Sequence, residues 1–410
     1  MSEVAAAGLF DKAKRPVRIV GRTWQVFGAH GHLHLDWSLA DRLPEYVRTA
    51  GHDFVRHLIQ TQSHASVASM FHVLVKLGDC ASLHSANRVS TAVFEELRGL
   101  LCRDHASLQR YRKFYYWAAC CGYAGFDDDV ADDLYDIVIG AVRTPNAMNG
   151  RNPPFTKEQF EWIEAALVAA KPDALEPNER MILLIQLILG SNPGPLAMLR
   201  ATDLRREQVD GATKWYLHVP RHKKRGEHER SDFRARHLCD GVAEAYLRHA
   251  EANARAMMEL GLPQEVAVPL FMRASPRKDF LADDCPVRSF AMHLTAQEIA
   301  ATLQTAVNKL CDLEKRERFK AAPRRFRRTR LLLARMSGLN DTSVADIADH
   351  SSTRSLSNYA FTGYQIVQHL DALMGHVFAE LRRAYDLTHD PCAGFIGRGY
   401  EMLFKERSFR

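Results

Sequence analysis

Long apolar segments are absent from this sequence of 410 residues. The most apolar stretch, residues 181–189, is far shorter than the roughly 20 residues that a membrane-spanning helix requires. The eight cysteines are scattered, with no C-x-x-C pair and no histidine at zinc-finger spacing, which argues against structural zinc and against a disulfide scaffold. We therefore expect a cytoplasmic protein with reduced thiols and no membrane partner.

A strong excess of one charge is also absent. Lysine and arginine number 55 against 49 aspartate and glutamate, and the net charge of +6 is too small to indicate a polyanionic partner by itself. Hydrophobic residues make up 46% of the chain and charged residues 25%, which is typical of a folded globular protein and excludes disordered or collagen-like material. At about 150 residues per domain, the length predicts two or three domains.

The first 35 residues differ from the rest of the chain. Residues 24–37 contain short β-prone pieces around a Gly-Ala-His-Gly turn. His30, His32 and His34 alternate there and could share one strand face around a metal ion. Three histidines without cysteine or carboxylate neighbours are more typical of an exposed strand or a disordered arm. We therefore predict an N-terminal extension, residues 1–35, without a metal site.

Residues 36–143 have apolar positions spaced by three and four, which predicts an all-helical domain. Residues 111–134 are densely aromatic, and Arg110, Arg112 and Lys113 accompany the rings. Basic and aromatic side chains together can bind a phosphate backbone, whereas an aromatic stripe at helical spacing more often forms a core. We expect core packing for the rings and leave DNA contacts open for the three basic residues.

A polar stretch rich in proline, asparagine and glycine, residues 144–154, predicts an interdomain linker. Thr156 and Gln159 have the spacing of a capping box, so a helix should begin directly after Thr156. Residues 179–189 are apolar nearly all round and predict a buried helix that ends at Gly190.

Two extended runs, residues 215–220 and 231–238, flank the polar tip 222–227 and predict a β-hairpin with a basic tip. From residue 299 onward, almost all of the chain has helical spacing. The predicted fold class is therefore mainly α with a small antiparallel β-sheet.

The positive charge is concentrated between residues 315 and 335. This basic cluster has Glu317 as its one acidic residue and is interrupted by Phe319 and Phe326. Such a run can be merely a solvated helix face, but its density favours a phosphate-binding surface. Its members are Lys315, Arg316, Arg318, Lys320, Arg324, Arg325, Arg327, Arg328, Arg330 and Arg335.

The same region carries motifs at defined spacing. Residues 324–329 read Arg-Arg-Phe-Arg-Arg-Thr, residues 349–352 read Asp-His-Ser-Ser, and Tyr359 lies nine residues after His350. They resemble the C-terminal signature of the tyrosine recombinase (phage integrase) family: H-x-L-R-[HR]-T, then G-H-[ST]-S, then a nucleophilic tyrosine nine residues after that histidine. Upstream, residues 187–204 resemble the family's T-G-x-R-x-x-E-L-x-x-L-x-x-x-D-I box.

The resemblance implies a two-domain clamp around double-stranded DNA, with a helical core-binding domain at 36–143 and an α+β catalytic domain at 155–387. It implies site-specific recombination or integration: Tyr359 attacks a phosphodiester, leaving a 3′-phosphotyrosine and a free 5′-hydroxyl, with no metal and no cofactor. Arg327 would bind the phosphate, His350 would donate a hydrogen bond, and Lys224 at the hairpin tip would protonate the leaving oxygen. A phenol with an unperturbed pKa near 10 needs such cationic neighbours.

Further basic side chains are expected to contact the DNA backbone. They lie in the basic cluster, at the hairpin tip and in the helical domain: Arg325, Arg328, Arg330, Lys223, Arg110, Arg112 and Lys113.

Two positions depart from the family pattern. Asn192 falls where the family has its first catalytic arginine, and Arg324 falls where it has the first histidine of H-x-x-R. Arg324 lies three residues before Arg327 on one helix face, so the two could share a phosphate and rebuild the site as catalytic. The alternative is a catalytically impaired DNA-binding pseudo-recombinase, acting as partner or regulator of an active recombinase.

Residues 366–387 have helical apolar spacing and precede a tail, 388–410, with further apolar residues. In the family such a helix commonly docks on a neighbouring subunit, which implies a homo-oligomer on DNA and possible pairing with other recombinase subunits. A self-packed helix with a frayed end is the alternative. The implied location is the cytoplasm, in association with the nucleoid.

Overall fold

The structure is a computed structural model that describes residues 8–85, 87–101, 104–137, 139, 152–209, 211–221, 228–350, 353 and 356. These residues are mostly helical and form two three-stranded antiparallel sheets, so the predicted fold class is confirmed. They fall into two compact units, residues 1–143 with 194–297 and residues 144–193 with 298–410. The domain boundaries predicted from the sequence stay a prediction. Within the described ranges, no helix has the length and apolarity to cross a membrane.

The first unit begins with a small sheet. Its strands, in the order β1-β2-β3, are β1 (Arg18–Val20), β2 (Thr23–Val26) and β3 (Leu33–Asp36). Trp24 on β2 pairs with Leu35 on β3, and both side chains are buried in the core of the helices that follow. The β-prone character predicted for this segment is confirmed.

Six helices follow this sheet. They are α1 (Glu45–Thr61), α2 (His64–Leu77), α3 (Ala81–His84), α4 (Thr91–Leu100), α5 (His105–Cys120) and α6 (Asp128–Asp136). Tyr111, Phe114 and Tyr115 on α5 are fully buried, and the Tyr115 hydroxyl donates to the carbonyl of Val89 at 3.0 Å. The aromatic stripe is core, as expected, although Tyr116 remains 62% exposed.

The next two helices belong to the second unit. Helix α7 (Lys157–Ala169) begins at a complete capping box of Thr156 and Gln159, as predicted. Helix α8 (Pro177–Leu189) is largely buried and ends at Gly190, whose φ of 54° places it in the left-handed region where a side chain is disfavoured. The predicted start of α7 and the predicted end of α8 are both confirmed. Each could be predicted from the sequence because it depends on hydrogen bonds within a few residues.

After the short α9 (Pro193–Ala197), the chain forms β4 (Leu204–Val209), β5 (Ala212–Pro220) and β6 (Phe233–Leu238), followed by α10 (Asp240–Glu259). Strands β5 and β6 pair antiparallel, which confirms the predicted hairpin, and β4 adds a third strand. The second unit is completed by α11 (Ala296–Leu313), α12 (Pro323–Met336) and α13 (Asp341–Ile347).

Candidate active site

Helix α12 carries most of the basic cluster, and its arginines differ in how deeply they are buried. Since each residue turns the helix by about 100°, neighbouring arginines point to different environments. Arg324, in the first turn, is exposed, Arg328 and Arg330 are half-buried, and Arg325 and Arg327 are only 8% and 6% exposed. The continuous charge of the sequence is therefore divided between the surface and the interior.

Arg327 connects α12 to the end of α13. Its Nη2 donates a hydrogen bond to the carbonyl oxygen of Ala348, the residue that caps α13. Free carbonyls at a helix C-terminus carry partial negative charge, so a guanidinium there is a favourable partner. The contact holds the predicted phosphate-binding arginine in a fixed place within the unit.

His350 is placed by the turn that ends α13. Asp349 adopts a left-handed conformation with φ of 51°, and its N–H bonds to the carbonyl of Asp346 at 2.9 Å. The N–H of His350 bonds to the carbonyl of Ala345 at 2.8 Å. This pair of bonds is a Schellman turn, which reverses the chain directly after the helix. Arg327 and His350 are thereby brought together, because His350 lies two residues after the carbonyl that Arg327 binds.

The end of α8 packs against the same part of α12. A Cβ on Gly190 would lie 3.1 Å from Cα of Arg327 and 2.9 Å from Cδ of Arg330. Arg330 Nη1 donates to the carbonyl of Leu187 at 2.7 Å. Asn192, the position of the altered catalytic residue, follows Gly190 by two residues and is exposed. The structure thus brings the start of the upstream box to the motif arginine.

Arg325 has internal partners on every side. Its guanidinium donates to the carbonyls of Pro153 at 2.9 Å, Pro154 at 3.3 Å and Lys320, and to Oε1 of Gln159 at 3.0 Å. It also lies 4.1 Å from the centre of the Phe155 ring. Burial lowers the pKa of this arginine from its ordinary value. These contacts join α12 to the residues at the start of α7, and the DNA contact of Arg325 stays a prediction.

Two more predicted DNA contacts have internal partners. Arg328 Nη1 donates to the carbonyl of Asn152, which joins α12 to the residues that precede α7. In the first unit, Arg112 donates to the carbonyls of Tyr135 and Ile137 at the end of α6. In each case a basic side chain completes the hydrogen bonding of backbone carbonyls, a role that composition does not reveal.

An exposed positive face remains around the start of α12. Lys315, Arg316, Lys320 and Arg324 are exposed, and the first turn of α12 contains no acidic residue. The N-terminus of a helix carries partial positive charge, so Arg324 and the helix end favour the same anion. Arg318 differs because it forms a two-point ion pair with Asp312 at 2.7 and 2.8 Å.

Other predicted site residues are placed as follows. Lys113 on α5 is exposed and Arg110 is half-buried. Tyr359, Lys224 and Lys223 lie outside the described residues. Within the described part of the chain, no group of three or more His, Cys, Asp or Glu side chains could hold a metal ion.

Sequence reasoning missed two ion pairs beside the hairpin tip. Arg230 donates to both carboxylate oxygens of the buried Asp203, at 2.6 and 2.9 Å. Its neighbour Glu229 accepts two hydrogen bonds from Arg15 Nη1 and one from Nη2, at 3.0 to 3.1 Å. Their sequence signal is weak, since an adjacent Glu-Arg after a basic loop is typical of a solvated turn.

No protein-family model matches the sequence, and a search among curated proteins found no match. Among solved structures, the chain is similar to XerH site-specific recombinase bound to difH substrate, with a TM-score of 0.47 and 13% identity over 79% of this chain and 84% of that one. It is also similar to a lambda integrase dimer bound to a COC′ core site, with a TM-score of 0.48 and 12% identity over 76% of this chain and 94% of that one. A third similar structure is Tn1549 transposon integrase with a circular intermediate DNA, with a TM-score of 0.49 and 17% identity over 80% of this chain and 99% of that one. The chain is thus similar, at low identity and over most of its length, to three DNA-bound recombinases or integrases.

Proposed function

We propose that this chain is a tyrosine-type site-specific DNA recombinase that cuts and rejoins strands through a 3′-phosphotyrosine. One observation carries the proposal: segments far apart in sequence that match the family motifs meet around Arg327 in the second unit. Gly190 packs on the backbone of Arg327, and Ala348, two residues before His350, accepts its guanidinium hydrogen bond. Unrelated charge runs give no reason for these motifs to converge.

The chemistry follows from the residue types. The Tyr359 hydroxyl loses its proton to solvent water as its oxygen attacks phosphorus, a Tyr–phosphate bond forms, and the bond to the 5′-oxygen breaks. Arg327 and His350 stabilise charge on the non-bridging oxygens, and Lys224 gives its proton to the leaving 5′-oxygen. Rejoining reverses these steps, so the phosphodiester energy is retained and neither a metal nor a nucleotide cofactor is required.

The altered position lowers the expected rate. An asparagine lacks the charge of an arginine, and the loss of one preorganised donor costs about 3 kcal/mol, or 10²- to 10³-fold in rate. Arg324 is exposed in the first turn of α12, three residues before Arg327. We propose that Arg324 supplies the missing charge to the same phosphate.

Double-stranded DNA is the proposed partner. The exposed cations Lys315, Arg316, Lys320 and Arg324 can neutralise backbone phosphates and release condensed counterions, which gives affinity with little sequence preference. Arg110 and Lys113 on α5 are proposed as a second contact region.

The remaining assignments are proposals of the same kind. Residues 36–143 would form the core-binding domain and residues 155–387 the catalytic domain. Residues 366–387 and the tail 388–410, which lie outside the described residues, would join copies of the chain, or other recombinase subunits, on DNA of a mobile element. The cytoplasm, at the nucleoid, is the proposed location.

A covalent trapping experiment tests the activity. The full chain is incubated with nicked duplexes taken from DNA flanking its gene, so that the short cleaved strand diffuses away and the adduct accumulates. We expect a protein–DNA adduct in wild type and none in Tyr359→Phe, with both binding the duplex equally. Binding without any Tyr359-dependent adduct would reject the enzyme and favour the pseudo-recombinase.

A further inference from the structure

The stem of the β5–β6 hairpin extends slightly beyond the two strands. Arg221 N–H bonds to the carbonyl of Asp232 at 2.9 Å, which extends the pairing one step beyond Pro220 and Phe233. Glu229 lies in the turn that leads back into this stem, three residues before Asp232 and five residues after Lys224 in the sequence. Any contact made by Glu229 therefore acts on the turn that returns from the segment of the predicted general acid.

Glu229 is bound by the N-terminal segment, residues 8–36. Arg15 contacts both of its carboxylate oxygens at 3.0 to 3.1 Å, and the N–H of Ala29 donates to Oε1 at 3.4 Å. The Arg15 and Glu229 side chains are only 14% and 16% exposed, so water competes little for this pair. Burial opposes ionisation of Glu229, yet Arg15 and these hydrogen bonds bring its pKa below the ordinary value.

Arg15 is itself held in place. Asp11 is 3% exposed, and its carboxylate accepts bonds from Arg15 Nε and from the Arg15 N–H, each at 2.8 Å. Ala29 is fixed from the other side, since its carbonyl accepts from Arg277 Nη2 at 2.9 Å. The contact to Glu229 thus comes from a preorganised pair of groups and not from a flexible surface arginine.

A second ion pair holds the adjacent residue. Arg230 binds Asp203 through both terminal nitrogens and donates to the carbonyl of Met198 at 2.6 Å. Two consecutive residues of the turn that leads back into the stem are therefore held by two different parts of the unit. Arg230 is tied to the segment before β4, and Glu229 to the N-terminal segment, more than 200 positions away.

We infer that Arg15 and Glu229 are positioning residues, through which the N-terminal segment holds the hairpin stem and so controls where Lys224 delivers its proton. This inference rests on the proposed function. Leaving-group protonation is needed only in the transition state, so loosening the stem should slow cleavage while leaving DNA affinity unchanged. The N-terminal segment, which precedes the helical domain, would then affect the rate of DNA cleavage.

The test compares Arg15→Ala, Glu229→Ala and the double variant with Arg22→Ala. Arg22 lies in the same N-terminal segment and forms an exposed ion pair with Asp41 instead of Glu229, so it is the matched control. Single-turnover cleavage of a nicked duplex should slow at least tenfold in both single variants. The double variant should be no slower than either, because both changes break one contact. Arg22→Ala should match wild type.

A modified substrate isolates the proton transfer. A bridging 5′-thio leaving group needs no proton, so it should restore cleavage in Arg15→Ala to within a few-fold of wild type. If Arg15→Ala cleaves the ordinary substrate at the wild-type rate, or if the thio substrate gives no recovery, the positioning role is overturned.

Hydrogen exchange separates this inference from the proposed function. Amides of peptides covering residues 221–232 should exchange faster in Arg15→Ala than in wild type and Arg22→Ala, whether or not the chain cuts DNA. If wild type forms no Tyr359-dependent adduct, the chemical consequence falls with the proposed function, and exchange still decides whether the segment holds the stem. Unchanged exchange in Arg15→Ala would refute the holding contact itself.

Discussion

Gly190→Ala is the substitution that tests most directly how the site is built. At φ of 54°, a Cβ costs about 1–2 kcal/mol, because the left-handed region is crowded for L-residues. The new Cβ would also lie 2.9 Å from Cδ of Arg330, which can move, and 3.1 Å from Cα of Arg327, which is backbone. Overpacking of this kind costs a further 1–3 kcal/mol. We expect about 2–5 kcal/mol of destabilisation in total.

Gly338→Ala is the matched control. Gly338 follows α12 with φ of 79°, but a Cβ added there would meet no atom within 4 Å. This variant is therefore destabilised only by the unfavourable backbone conformation and not by overpacking. Unfolding in urea should show a larger loss for Gly190→Ala, by about 1–3 kcal/mol. Cleavage by the folded fraction should fall as well, because a shift of about 1 Å at Arg327 can cost 10²-fold. Equal losses in the two variants would refute the close packing of α8 on α12.

Three further outcomes are expected. Arg325→Ala should lower the free energy of unfolding by about 3 kcal/mol, since it leaves several backbone carbonyls without their charged donor. Arg324→Ala should leave the free energy of unfolding unchanged and reduce the salt slope of DNA binding by about 1. Equal losses of stability in the two variants would contradict the division into a buried and an exposed arginine. Burial, aided by Arg48, lowers the pKa of His52 to about 4, below the unfolded value near 6.5. The free energy of unfolding should therefore be at its full value above pH 6.5 and fall by about 2 kcal/mol by pH 5. Denaturation of His52→Gln at these two pH values should show a smaller loss. If Arg324 replaces the charge missing at Asn192, Arg324→His should abolish adduct formation in the trapping assay, whereas Asn192→Arg with Arg324→His should gain it if the site has merely decayed.

Local signals in the sequence were enough to define many elements. The capping box of Thr156 and Gln159 set the start of α7, and the glycine at 190 set the end of α8. Both depend on hydrogen bonds within a few residues, which spacing alone specifies. The two extended runs on either side of a polar tip likewise predicted the hairpin of β5 and β6.

The candidate site could be predicted in part. Motif spacing selected Arg327 and His350, and the structure joins them through the carbonyl of Ala348. Spacing could not reveal that Arg325, two residues before Arg327, would be buried by Pro153 and Pro154. A run of arginines has one composition whether its side chains face DNA or the carbonyls of a neighbouring segment.

The sequence by itself determined the fold class, the helix ends and the motif residues, because these follow from periodicity and short-range hydrogen bonding. Only the tertiary structure decided which cations are exposed and which residues hold the hairpin stem. Arg15 and Glu229 are 214 positions apart, and the two meet because Asp11 fixes Arg15 beside the turn that leads back into β6. Partners at such separation depend on the path of the whole chain, since burial and ion pairing are properties of the packed surroundings and not of the residue type.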